Sequence, residues 1–377
     1  MNVTVLHPRL GSLGGAELVS LHVVRRLLEQ GASVRWVTLT PPDLDAAFQT
    51  TGVRIPPGSD LEVHVVPTPR WVRRPLLESA WLHRAARPIV RRADLWVSTY
   101  NEANLGLRGL QYVHHPLFAD RELLRRYRIS DASGGVVHTM YDQAVRAIAH
   151  ADAAAFRRNE TVTNSAFMAG VLREAYGLDA NVLYPGFLTG DSVHAEDRKD
   201  QMVSVGRISR DKHTIALVDL MAAVHREVPS LSFVIAGFAT DGLYLEAVQA
   251  RARDISLPVR FEIGLEHDDL MGLLRRSRYF ISAKPFEHFG ITTLDAAAAG
   301  TVPFVHRSGG SIEIIRDDRL WYESESELAM RVRSVASAPD VRLSILRGVA
   351  DGLPRFQRDR FDAGLDAAVE RALRRAP

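Results

Sequence analysis

The sequence predicts an α/β fold of two parallel-sheet domains, and three observations lead there. The chain has 377 residues, more than one core usually encloses, so two domains of roughly 180 residues each are expected. Along most of its length a strand-like apolar run is followed by an amphipathic helical run with turn residues between, the alternation that builds parallel sheets covered by helices. That alternation stops in a polar, turn-rich stretch and then restarts. The expected domains are therefore 1–185 and 201–354, joined by a linker at 186–200.

In the first half, a strand at Val3–His7 leads through the loop Pro8–Gly15 into a helix from about Ala16 to Gln30. Strands follow near Ser33–Thr40 and Leu61–Val66, then a basic helix near Arg73–Arg92 and strands near Asp94–Thr99 and Leu110–His114. One long helix is expected around Val137–Arg158, then a strand at Thr161–Thr163, a helix capped by Asn164-Ser165, and a strand at Asn181–Tyr184. The second half places strands at Met202–Val205, Leu231–Ala236, Val259–Ile263, Arg278–Ser282 and Val302–His306, each followed by a helix. A last helical stretch covers Arg355–Arg375.

Composition narrows the class. A hydrophobic fraction of 46% and a charged fraction of 24% are those of an ordinary globular protein. The net charge of +2 gives no reason to expect a nucleic-acid partner. With no cysteine, disulfides, thiolate metal sites and thiol nucleophiles are excluded. No signal-like or membrane-spanning run is evident, so a cytoplasmic location is expected. Arginine holds nearly every basic position: 44 arginines stand against three lysines, Lys199, Lys212 and Lys284. A lysine kept in such a background marks a place that wants a compact ammonium, or survives by chance.

The segment Pro285-Phe286-Glu287-His288-Phe289-Gly290-Ile291-Thr292-Thr293-Leu294-Asp295 carries the most functional information. It lies where a strand ends and a small-residue helix begins, the position at which open parallel sheets bind ligands. The first helical turn offers unpaired N–H groups to an anion, and Glu287 and Asp295 bracket it. A ligand with phosphate in its middle and hydroxyls at both ends fits that layout, and a nucleotide-sugar is one.

On the corresponding rim after the first strand of this half stand Gly206, Arg207 and Lys212. Two cations there suit a diphosphate leaving group; a solvated charged loop is the alternative. The backbone of the glycine loop Ser308-Gly309-Gly310-Ser311 is suited to a close approach to phosphates; taken alone the loop is only a turn. In the first half, Gly11 to Glu17 supplies another glycine loop, with Gly14 and Gly15 at the helix start. It lacks the dinucleotide fingerprint spacing, and a structural turn explains it as well as a ligand loop. His114 ends a strand, where it can hydrogen-bond a hydroxyl or assist proton transfer. Asp43-Leu44-Asp45 matches a three-residue metal pattern that recurs by chance, and it is read as part of a polar loop.

Taken in order, Gly14-Gly15-Ala16-Glu17, Thr163-Asn164-Ser165, Tyr184-Pro185-Gly186, Gly206-Arg207 with Lys212, Ile235-Ala236-Gly237, and Glu287-x-Phe289-Gly290 with Asp295 resemble the retaining GT-B glycosyltransferases of family 4. The resemblance covers nearly the whole chain. It implies two Rossmann-like domains facing a cleft, the first for the acceptor and the second for the donor, with the C-terminal helix, about 355–377, crossing back to the first. It implies a metal-independent hexosyl transfer with retention, from GDP-mannose or a UDP-hexose to a hydroxyl of a glycan, lipid-linked or small-molecule acceptor. No cofactor is implied.

By the same resemblance Arg207 and Lys212 bind the diphosphate, Glu287 the donor sugar, and the backbone of Phe289, Gly290, Ile291 and Thr292 both sugar and phosphate. Gly14 and Gly15 lie under the diphosphate, His114 lies near the transferred sugar, and Asp295 replaces the family's usual Glu at the ribose. The shorter side chain puts the strength of that contact in question. The arginine and alanine usage suggests a GC-rich bacterial genome, with cell-envelope glycans or natural products as acceptors.

Basic residues mixed with Trp71, Trp81 and leucines at 70–92 suit peripheral contact with an anionic membrane. A surface helix with its apolar side turned inward is the alternative, and the favoured one. Two other classes share the frame: a sugar-nucleotide epimerase of the same fold, and an inactive donor-binding partner subunit.

Overall fold

Seven parallel strands form the first sheet: β1 Asn2–Leu6, β2 Ser33–Thr38, β3 Leu61–Val65, β4 Leu95–Ser98, β5 Leu110–Val113, β6 Glu160–Thr163 and β7 Asn181–Val182, in the order β3-β2-β1-β4-β5-β6-β7. Six more form the second: β8 Lys199–Val205, β9 Ser232–Gly237, β10 Val259–Ile263, β11 Ser277–Ser282, β12 Val302–His306 and β13 Trp321–Tyr322, ordered β10-β9-β8-β11-β12-β13. Every pairing is parallel. The protein is described by a computed structural model over residues 1–11, 14–129, 136–187, 198–239 and 241–374. It divides into one unit of Met1–Pro185 with Asp359–Pro377 and another of Gly186–Arg358.

The α/β class expected from the alternation is the class observed. Central strands such as β4, β5 and β6 are buried at every position, because helices cover both faces of a parallel sheet. The edge strands β3 and β10 have no buried position, only exposed and half-buried ones. They carry charges that discourage further pairing, with Arg35 bonded to Glu62 at 2.8 Å and Arg260 to Glu262 at 2.7 Å.

The helix Arg358–Arg374 completes the first unit from far along the chain. Phe361, Leu365 and Ala368 are buried, and Gly364 packs so closely on Leu183 that a Cβ would lie 2.6 Å from its Cδ1. Arg25 grips Asp362 in a fork of 2.7 and 2.9 Å. Arg26 pairs with Asp366, and Arg371 reaches the buried Glu160 at 2.6 Å.

Several local expectations are corrected. The long helix expected at 137–158 is two, Val136–Ala149 and Ala153–Arg158. His150 turns to φ 50°, and the Asp152 carboxylate then accepts the Ala154 N–H at 3.0 Å. An N-cap so placed restarts a helix rather than continuing one. Asp43 is not in a loop but caps the helix Leu44–Thr51 through the Ala46 N–H at 2.9 Å. The strand expected to reach Tyr184 ends at Val182, and β13 is an unexpected pair of residues. The linker expected at 186–200 falls mostly outside the described residues, and β8 already starts at Lys199, held by its register with Ser277 on β11.

The basic segment 70–92 folds as the helix Pro75–Val90. Its Leu77 and Ala80 enter one core cluster, and Leu82, Ala86 and Val90 another. Trp81 donates to the Pro67 carbonyl at 3.0 Å, whereas Trp71 stays 62% exposed among exposed arginines. The apolar side is thus used within the unit. No described helix is long and apolar enough to cross a membrane.

Candidate active site

In the second sheet the strand order reverses between β8 and β11, and a crevice at such a switch point is where ligands bind. The chain crosses it tightly: Gly206 N–H bonds the Ala236 carbonyl at 3.0 Å. A Cβ on Gly237 would lie 1.8 Å from the Gly206 oxygen, so only glycine fits there. This crossing sends Arg207 out beyond β8, into a turn at Arg210–Lys212 that precedes the helix Thr214–Glu227. Lys284 and Glu287 leave the end of the neighbouring strand, β11.

These side chains form one charge cluster. Lys212 Nζ donates to Glu287 Oε2 at 2.6 Å, Lys284 Nζ stands 3.9 Å from Glu287 Oε1, and Arg207 pairs with Asp211 at 3.0 Å. Burial raises the Glu287 carboxyl, but Lys212, Lys284 and His288, with the Lys212 hydrogen bond, outweigh it and hold the group well below the usual carboxylate range. Burial pulls the Lys284 ammonium down; Glu287 opposes the shift and Lys212 adds to it. Glu287 is therefore an anion at every ordinary pH.

The backbone carrying Glu287 has an unusual course. Phe286 sits at φ 53° and Gly290 at φ 102°. The loop 308–311 holds it from beneath: Ser308 Oγ accepts the Phe286 N–H at 2.8 Å, Gly310 N–H bonds the Glu287 carbonyl at 2.7 Å, and Ser311 Oγ donates to the Phe289 carbonyl at 3.1 Å. A Cβ on Gly309 would meet the Glu287 oxygen at 2.4 Å, and one on Gly310 the His288 oxygen at 2.3 Å. The close approach expected of this glycine loop is thus to the protein's own backbone, and the Gly310 N–H is already committed.

Gly290 opens the helix Ile291–Ala298, which has no side-chain cap; the first-turn N–H groups of such a helix have no intrahelical partner and can serve an acceptor. Asp295 lies one turn along. Burial pushes its carboxyl up to about 7, although the residue keeps partial solvent exposure. Among the described residues no side chain bonds it. Phe289 is buried against Phe356, ring centroids 5.7 Å apart.

The remaining expected residues belong to the first unit. His114 follows β5, and its Nε2 lies 3.1 Å from the Thr99 carbonyl. A carbonyl only accepts, so Nε2 carries the proton and Nδ1 is the acceptor. Burial lowers His114 to about 4, so it is neutral at pH 7. Sequence reasoning missed its companion His7, beyond β1, whose Nδ1 lies 3.1 Å from Thr99 Oγ1. Burial, with His114 adding to it, lowers His7 to about 3. These residues cap β1, β4 and β5, beside that sheet's own switch point between β1 and β4. Gly14 precedes the helix Gly15–Glu29 at an ordinary φ of −83°, while Ser12 and Leu13 lie outside the described residues.

The structure thus joins Lys212 and Glu287 directly and links Arg207 to Asp211; it adds Lys284 and Asp211, which sequence reasoning had not placed there. Among the described residues no hydrogen bond or ion pair joins the Asp295 side chain to any of them. Among the described residues no group of three or more His, Asp or Glu side chains could hold a metal ion.

Over 97% of its length the chain superimposes on 98% of WaaG, a glycosyltransferase involved in lipopolysaccharide biosynthesis, with a TM-score of 0.72 and 14% identity. This is the GT-B fold. Anabaena HepE in complex with UDP and glucose is similar over 98% of this chain and 100% of its own, with a TM-score of 0.69 and 15% identity. Residues 191–345 match the family model of glycosyl transferases group 1. The Xenopus laevis GDP-Man:Man(3)GlcNAc(2)-PP-Dol alpha-1,2-mannosyltransferase is 25% identical over 194 residues, 47% of this chain. The chain spans about two fifths of that relative's length.

Proposed function

We propose that the protein is a retaining, metal-independent glycosyltransferase that moves a hexosyl unit from GDP-mannose or a UDP-hexose to a hydroxyl of a glycan, lipid-linked or small-molecule acceptor. The observation that carries this reading is the Arg207–Lys212–Glu287 cluster at the β8/β11 switch point. Cations and an ionised carboxylate there match a ligand that presents phosphate and sugar hydroxyls side by side. The mannosyltransferase relative and the HepE complex with UDP and glucose support the donor class.

In this reading the second unit holds the donor. Arg207 and Lys212 take the diphosphate oxygens, Glu287 accepts from sugar hydroxyls, the backbone from Phe289 to Thr292 lines the sugar and phosphate, and Asp295 meets the ribose. The first unit holds the acceptor, with neutral His114 as a group that hydrogen-bonds a hydroxyl. The bond from the anomeric carbon to the phosphate oxygen breaks as the acceptor oxygen approaches from the same face. The acceptor's proton passes to the departing diphosphate. Cations fixed on the leaving oxygens stabilise that charge before it develops, and losing one such group costs on the order of 3 kcal/mol, roughly a hundredfold in rate. Arg207→Ala and Lys212→Ala should each slow donor hydrolysis and transfer by about that factor; near-normal rates in both would refute the assignment.

A further inference from the structure

Two of the chain's three lysines meet at one carboxylate, although arginine fills almost every other basic position. They are not equivalent. The Lys212 side chain is 30% exposed and hydrogen-bonds Glu287; the Lys284 side chain is 8% exposed and stands 3.9 Å away, beyond hydrogen-bond reach. Among the described residues Lys284 Nζ has no hydrogen-bond acceptor. A buried ammonium without one is costly, because desolvation is repaid only by close pairing.

Charge counting gives Lys284 a purpose. Arg207 is matched by Asp211 and Lys212 by Glu287, so Lys284 is the cluster's surplus cation. A diphosphate arriving at this crevice would draw Lys212, whose side chain is partly exposed, away from Glu287. Without another cation, a nearly buried carboxylate would then lose its hydrogen bond and its counter-charge together. Lys284 is already aimed at the other oxygen of Glu287 and is too enclosed to leave.

We propose that Lys284 is a positioning residue that takes over the charge of Glu287 when Lys212 turns from that carboxylate to the diphosphate of the ligand. This rests on the donor reading above and adds a residue and an order of events to it. Lys284 acts through Glu287 and does not itself touch phosphate.

The test is calorimetric titration with GDP, GMP, UDP and UMP, read as the ratio of diphosphate to monophosphate affinity. In Lys284→Met the ratio should fall about tenfold, the worth of one charge-assisted hydrogen bond, with monophosphate affinity unchanged. In Glu287→Gln, where nothing holds Lys212 back, the ratio should equal or exceed that of the unsubstituted protein. The double variant Lys284→Met/Glu287→Gln should match Glu287→Gln alone. That comparison decides the matter even if Lys284→Met does not fold, since the double variant leaves no unpaired buried charge. A ratio unchanged in Lys284→Met, or lower in the double variant than in Glu287→Gln, overturns the proposal. An unsubstituted protein that binds neither diphosphate overturns the donor reading itself, and this proposal with it.

Discussion

Gly309→Ala perturbs the site without replacing any residue proposed to meet the ligand. Gly309 adopts φ +80°, and an added Cβ would lie 2.4 Å from the Glu287 oxygen, 2.6 Å from its nitrogen and 2.8 Å from the Phe286 carbonyl carbon. All three are backbone atoms and cannot rotate away, so the Glu287 segment must retreat by at least about half an ångström. Gly264→Ala is the matched control: φ is +75°, with nothing within 4 Å. Both variants incur the left-handed backbone cost of roughly 1–2 kcal/mol. Only Gly309→Ala also strains the 2.7 Å bond from the Gly310 N–H to the Glu287 carbonyl and the surrounding contacts, worth about 1–2 kcal/mol more. Its Tm should therefore lie about 3–6 °C below that of Gly264→Ala. A displacement of this size at a reacting site costs up to about a hundredfold, so donor hydrolysis should drop at least about tenfold in Gly309→Ala and stay unchanged in the control. Equal melting and equal turnover in the two variants would show that loop 308–311 does not set the position of Glu287.

Two further predictions concern the first unit. Glu102 is fully buried; its Oε1 accepts the Leu117 and Phe118 N–H groups, each at 2.7 Å, and the Tyr176 hydroxyl, while Oε2 has no partner. Burial, only partly offset by these hydrogen bonds, pushes the carboxyl up from 4.5 to about 7. The folded state therefore binds more protons than the unfolded between those values, and stability falls as pH rises from about 4.5 to 7 by up to about 3 kcal/mol. Glu102→Gln should remove that slope, so its stability relative to the parent, from urea melts, should rise by about that amount between pH 4.5 and 7.5; a difference independent of pH would contradict it. Asp362→Ala leaves the buried Arg25 with only Glu29, at 2.7 Å. Breaking a buried pair from one side costs about 3–5 kcal/mol; with Glu29 retained, about 2–3 kcal/mol is expected, and a loss under about 0.5 kcal/mol in denaturant melts would deny the pair a structural role.

The α/β class was legible because parallel strands buried on both faces leave short, continuous apolar runs that helical periodicity separates. What stayed hidden depended on contacts across sequence. Lys212 and Glu287 are 75 positions apart, and His7 lies 92 from Thr99, so neither pairing leaves a local pattern. Lys284 did leave a trace, as one of three lysines, but nothing in the sequence says that its ammonium is enclosed beside Glu287. Asp43 and Asp152 read as generic polar residues until the helices they cap are seen, and a two-residue strand such as β13 carries no periodicity at all. The Gly309-Gly310 pair showed that some backbone had to come close; it did not show whether that backbone was a ligand's phosphate or residues 286–289.

The helix Arg358–Arg374 lies in the same unit as β1, yet all of Gly186–Arg358 separates it from the rest of that unit. A ribosome must therefore make about 170 residues of the second unit before Phe361 and Leu365 exist to fill their places. At 5–20 residues per second that delay is roughly 10–35 seconds. For that interval the surface around Tyr112, Leu183 and Arg25, which this helix covers, stays open to water. The first-made unit is therefore finished last, and chaperones have their longest opportunity at its helix-docking face.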